Sequence, residues 1–119
     1  MMNATTRFLI LFLACLLSAA HGQSQSEMNE QARKNFEKVD ARLNSVYKKL
    51  IATLDSESQV KLKAAQRAWI AFRDAEAEFK ADLAARGGSM APMIHSATAA
   101  DLTEKRLRQL EAALQESAP

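Results

Sequence analysis

Apolar residues recur at steps of three and four along most of the chain. From Ser26 to Leu54 they are Met28, Ala32, Phe36, Val39, Leu43, Val46, Tyr47, Leu50 and Leu54. That spacing draws one stripe down a helix. A second stripe is expected between Glu57 and Ala85, at Leu62, Ala65, Trp69, Phe72, Phe79 and Leu83, with Glu76 interrupting it. A third runs from near Pro92 through Ile94, Ala97, Ala100, Leu107, Leu110 and Leu114, with the tail from Glu116 expected to fray. No segment shows the period-two alternation of a strand.

The boundaries carry their own signals. Ser56 followed by Gln59 reads as a capping box that opens the second helix. Gly87 suits the left-handed position that ends it, and Pro92 fits the first turn of the third. Glu30 with Lys34, Glu76 with Lys80, Asp82 with Arg86, and Glu104 with Arg108 sit one turn apart and mark solvated faces. Three amphipathic helices with short links predict an all-α, antiparallel three-helix bundle: a long helical hairpin with the third helix packed along it. Each of the first two helices would be about 43 Å long. A continuous pair of helices that dimerises is the weaker alternative, so a monomer or weak dimer is expected.

The first 22 residues have a different character. Arg7 precedes an apolar run from Phe8 to Leu17, and Ala20-His21-Gly22 places small residues before a cut at Gln23. This is the pattern of a secretory signal peptide, and the run is too short for a spanning helix, which needs roughly 20 apolar residues. Leu13-Ala14-Cys15 partly matches a lipid-attachment site, but Leu16 and Leu17 carry the apolar run past it. The reading is free export to the periplasm or beyond, with no stable membrane insertion. Residues 23–119 then form one small domain.

Composition narrows the function. Of 16 basic residues Arg7 belongs to the leader, which leaves a balance of about +1 against 14 acidic ones and no general pull toward nucleic acid. The single cysteine, Cys15, also lies in the leader, so residues 23–119 have no disulfide, thiolate nucleophile or cysteine-based metal site. One histidine, His95, remains, and no Ser-His-Asp or Glu-x-x-His arrangement appears. A non-enzymatic protein with no cofactor and no metal is expected. Met90-x-x-Met93-x-His95 has the donor types of a soft-metal cluster, but three donors with one imidazole make a weak pattern.

Two polar stretches stand out. In Gln66-Arg67-Ala68-Trp69-Ile70-Ala71-Phe72-Arg73-Asp74, the residues Gln66, Trp69 and Arg73 share one edge of the apolar face. An arginine beside a tryptophan stacks on it or reaches a carboxylate on another helix. Asp40, Asn44 and Tyr47 line an edge of the first helix. Asparagine is a mediocre helix former, so Asn44 in mid-helix points to a specific hydrogen bond, and Arg106 on the third helix is a candidate carboxylate partner. The default reading of Asp40, Asn44, Tyr47, Gln66, Asp74 and Arg106 is an inter-helix network. Trp69 and Arg73 are also candidates for a partner surface, as are Arg86 and Ser89 at the Gly-Gly loop.

These segments together resemble the LprI-type lysozyme-inhibitor family, small exported bacterial helical domains. The resemblance rests on Asp40-x-x-Leu43-Asn44-x-x-Tyr47, then Leu62-x-x-Ala65-Gln66-x-x-Trp69-Ile70-x-Phe72-Arg73-Asp74, then Gly87-Gly88-Ser89, then Thr103-x-x-Arg106-x-x-x-Leu110. It implies a helical fold and a protein partner, a lysozyme-type muramidase, whose cleft the inhibitor would occlude. Relatives carry cysteines in three neighbourhoods that here hold Gln31, Ala77 and Thr98. The alternative function is a periplasmic structural or adaptor module acting through the Trp69–Arg73 face.

Overall fold

The computed structural model describes residues 22–118. The expected leader as far as His21, with Cys15, lies outside the described residues. Three helices follow one another: α1 (Gln25–Thr53), α2 (Ser56–Ala85) and α3 (Ala91–Ser117). They form an up-down-up bundle. α1 and α2 run antiparallel, so that Asp40 meets Arg73. α3 runs parallel to α1, so that Asn29 meets Ser89 and Thr53 meets Ser117. The all-α bundle expected from the stripes is present, and the described residues contain no cysteine.

Local chemistry sets the ends. Ser24 caps α1 by accepting from the Glu27 amide at 3.1 Å. The expected capping box at Ser56 does not form, and the cap sits one residue earlier. Asp55 is the cap of α2, and its carboxylate accepts from the Ser58 amide at 2.8 Å. That bond holds the Asp55 carboxyl below its ordinary pKa. Gln59 instead reaches back across the turn and donates to the carbonyls of Ile51 and Leu54, 3.0 and 3.2 Å away. It satisfies acceptors that the end of α1 leaves open. Gly87 takes the left-handed conformation, φ +66°, that a helix end needs. The last turn of α3 is helical to Ser117 rather than frayed from Glu116, and Thr53 Oγ1 donates to Ser117 Oγ at 3.0 Å.

The core is unevenly shared. Its buried residues are Val39, Leu43 and Leu50 of α1 and Leu107 and Leu110 of α3. Small residues at Ala99 and Thr103 are fully enclosed and let α3 lie close to its neighbours, with the Thr103 hydroxyl turned back onto the Ala99 carbonyl at 2.7 Å. α3 also packs along α2, while α1 and α2 approach each other less closely. To the apolar cluster α2 adds only the half-buried Leu62 and Trp69.

The second-helix stripe is where the structure departs most from expectation. The buried residues of α2 are Gln66, Arg73, Ala77 and Ala81. Phe72, Phe79 and Leu83 are 54%, 55% and 68% exposed, and Ala65 is exposed as well. The helix is rotated relative to its apolar stripe because its polar residues Gln66 and Arg73 have partners in the bundle, and satisfying them turns the phenylalanines outward. On α3, Ala97 is likewise exposed, and Ala99 and Thr103 take the inner positions.

This packing predicts opposite results for two substitutions. Phe79→Ser on the exposed face should leave stability within about 0.5 kcal/mol, as an ordinary surface change does. Ala99→Leu, which forces a large side chain into a fully buried position, should cost roughly 1–3 kcal/mol. Urea unfolding followed by circular dichroism reads both, and equal effects would contradict the packing.

Candidate functional site

Arg73 anchors the polar side of α2. It is 8% exposed. Its guanidinium lies between two rings, 5.0 Å from the Phe36 centroid and 5.2 Å from the Trp69 centroid. Its Nη1 donates to Asp40 at 2.9 Å and its Nε to the neighbouring Asp74 at 2.9 Å. The aromatic faces take the cation's plane while the carboxylates take its edge. Trp69 is thus half-buried beneath Arg73, and neither the guanidinium nor the covered indole face is presented outward.

Arg106 does not meet Asp40. The carboxylate is taken by Arg73, and Arg106 instead donates through Nε to Gln66 Oε1 at 3.1 Å and through Nη1 to Gln109 at 3.1 Å. Partial burial lowers the Arg106 pKa below its ordinary value, though a guanidinium stays charged at any physiological pH. The network therefore has two links, α1 to α2 through Asp40–Arg73 and α2 to α3 through Gln66–Arg106. The structure brings Asp40, Arg73 and Asp74 together and, separately, Gln66 and Arg106.

Asn44 and Tyr47 stand outside both links. Among the described residues Asn44 is exposed and has no side-chain hydrogen bond, contrary to the bond expected of it. Tyr47 packs its ring on the core. Both line a groove of about 330 Å³ between α1 and α2 together with Lys63, Gln66, Arg67 and Ile70. The sequence reading passed over Lys63 and Arg67. Their signal was available: they are the basic residues of α2 that have no acidic residue three or four positions away.

The loop end of the bundle carries the other candidates. Arg86 is exposed and paired with Asp82 at 2.9 and 2.8 Å. The Ser89 side chain is exposed, and its backbone carbonyl accepts from Asn29 of α1 at 3.0 Å, which ties the loop to the bundle. Beside it opens a broader groove of about 670 Å³ between the end of α2 and the start of α3, lined by Phe79, Glu78, Asp82, Arg86, Pro92 and His95 among others. Met93 faces Gln25 of α1, 3.9 Å from its amide nitrogen, whereas His95 lines the groove beside α2. The Met-x-x-Met-x-His donors do not converge. Sequence reasoning also missed the exposed face of Phe72, Phe79 and Leu83, because it assigned those residues to the core.

The Arg73 link makes a direct prediction. Removing one partner of a mostly buried ion pair is costly, so Arg73→Ala should destabilise by about 3 kcal/mol. Asp40→Ala should cost less, about 1–2 kcal/mol, because Asp74 still meets the cation. A double-mutant cycle in urea should give a coupling of about 1 kcal/mol or more between positions 40 and 73. Additive effects would show that the two residues act separately.

No helix among the described residues is long and apolar enough to cross a membrane. No solved structure matches the chain. An uncharacterized protein of Rhizobium meliloti (strain 1021) is 35% identical over an alignment covering 92% of this chain and 94% of that relative. The family model described as lysozyme inhibitor LprI matches residues 15–110, which span the motif residues of α1 and α2, the Gly-Gly loop and α3 as far as Leu110. The chain belongs to the LprI lysozyme-inhibitor family.

Proposed function

We propose that this protein is an exported, non-enzymatic inhibitor that binds a lysozyme-type muramidase and occludes its substrate cleft. The family match over residues 15–110 is the observation that carries this reading. Residues 1–22 would serve as the secretory signal, and the bundle from Gln23 onward would act in the periplasm or outside the cell. The contact surface would be the loop end, where Arg86, Ser89 and the half-exposed Met90 lie together on the turn between α2 and α3. A muramidase works with two carboxylates flanking the glycosidic bond. A serine hydroxyl and an arginine on a tethered loop supply donors for such a pair. The Arg86–Asp82 pair is exposed, so exchange of its partner carries little penalty. A net charge near +1 provides no long-range steering toward a basic enzyme, so affinity would come from contact rather than from attraction at a distance.

A second reading is favoured by one specific feature, the exposed Phe72, Phe79 and Leu83 of α2. Such a face suits an adaptor that docks another envelope protein. Phe79 lines the same groove as Arg86, so Phe72, which lies outside that groove, separates the two readings.

The test is lysis by chicken-type and other lysozymes with and without residues 23–119. Inhibition should rise with dose. Arg86→Ala or Ser89→Ala should weaken it by about tenfold or more if these are central contacts, and Phe72→Ser should leave it unchanged. Absence of inhibition of every lysozyme class at micromolar protein would overturn the inhibitor reading. Inhibition lost with Phe72→Ser but kept with Arg86→Ala and Ser89→Ala would move the contact to the α2 face.

A further inference from the structure

The groove between α1 and α2 gathers polar groups that the bundle does not use. Lys63 and Arg67 sit one turn apart on α2, and neither forms an ion pair among the described residues. Like charges at that spacing destabilise a helix, and no carboxylate lines the groove to offset them. Across from them the Asn44 amide and the Tyr47 hydroxyl have no hydrogen-bond partner among the described residues.

Gln66 adds the most specific observation. It is 6% exposed, and its Oε1 accepts from Arg106 at 3.1 Å, which fixes the orientation of the amide. Its Nε2 has no protein partner. No fully enclosed side-chain nitrogen or oxygen among the described residues lacks a partner, so this nitrogen reaches the groove that Gln66 lines. The residue is thus held by the bundle through its oxygen, while its nitrogen is a donor of fixed orientation left open to a ligand in the groove.

We propose that this groove binds a saccharide carrying an acidic group. The two cations select an anion, carboxylate or phosphate. The Gln66 and Asn44 amides and the Tyr47 hydroxyl suit the hydroxyl and acetamido groups of a sugar. The edge of the Tyr47 ring and Ile70 offer an apolar strip for the sugar's C–H face. A volume of about 330 Å³ holds one sugar ring rather than a folded partner. The proposal concerns binding alone and stands independently of lysozyme inhibition.

The experiment is a titration of isotope-labelled residues 23–119, followed by NMR, with four probes: N-acetylmuramic acid, glucose 6-phosphate, N-acetylglucosamine and inorganic phosphate. The two acidic sugars should shift resonances of Asn44, Tyr47, Gln66 and their neighbours, with the tighter of the two identifying the preferred acid. The neutral sugar and inorganic phosphate should bind more weakly. Added salt should weaken the acidic sugars. Lys63→Ala with Arg67→Ala should weaken them about tenfold or more, as loss of charge-assisted hydrogen bonds requires. Circular dichroism should be unchanged in this exposed double variant, and Asn44→Ala gives a second, uncharged test. No response to either acidic sugar at millimolar concentration would overturn the proposal. So would equal binding of inorganic phosphate, which reduces the groove to a bare anion site, or shifts that centre elsewhere on the bundle.

Discussion

The Arg73 guanidinium, held between Phe36 and Trp69 and bonded to Asp40, is the interaction on which the placement of α2 depends. α1 and α3 have a leucine core between them, and each fully buried leucine contributes about 1.5–3 kcal/mol. α2 has no comparable anchor. Its buried residues are two alanines, a glutamine and an arginine. A charge as enclosed as Arg73 is tolerated only when paired, so the positions of Asp40, Phe36 and Trp69 dictate how α2 is rotated against α1. The Gln66–Arg106 bond then makes the same demand from the side of α3.

That rotation has consequences for surface chemistry. With Gln66 and Arg73 turned inward, Phe72, Phe79 and Leu83 must turn outward, because they lie on another side of the same helix. Gln66 is shared between the core and the groove, its oxygen engaged by Arg106, and it lines the groove with Asn44, Tyr47, Lys63 and Arg67. The network that holds the bundle thus also shapes a polar groove on one side and an apolar face on another. The loop end is a third region, set by the left-handed Gly87 and the Asn29–Ser89 tether rather than by the network.

Much of this was legible in the sequence. Stripes at steps of three and four located all three helices, because α1 and α3 bury leucines and valines in the ordinary way. Gly87 and Pro92 marked the one long connection for reasons of backbone geometry. The motif residues Asp40, Gln66, Arg73 and Arg106 were legible as a network from their shared edges, but the pairing was not. Which carboxylate meets which arginine depends on the rotation of α2, and hydrophobic periodicity pointed to the wrong rotation. The apolar stripe of α2 is stronger in sequence than its buried edge, since alanine carries little pattern and buried glutamine and arginine run against it. The groove was illegible for a related reason: Asn44 and Tyr47 lie on one helix, Lys63 and Arg67 on another, and only tertiary packing places them together.

The central claim is that polar pairing, more than apolar burial, fastens α2 to the rest of the bundle. Amide hydrogen exchange on the Arg73→Met variant tests it most directly, since methionine retains the bulk and removes the charge. The account predicts that protection falls along α2 as a unit while the core amides of α1 and α3 near Leu43 and Leu107 stay protected. Protection in α2 equal to that of the unmodified chain, or a uniform loss across all three helices, would contradict it.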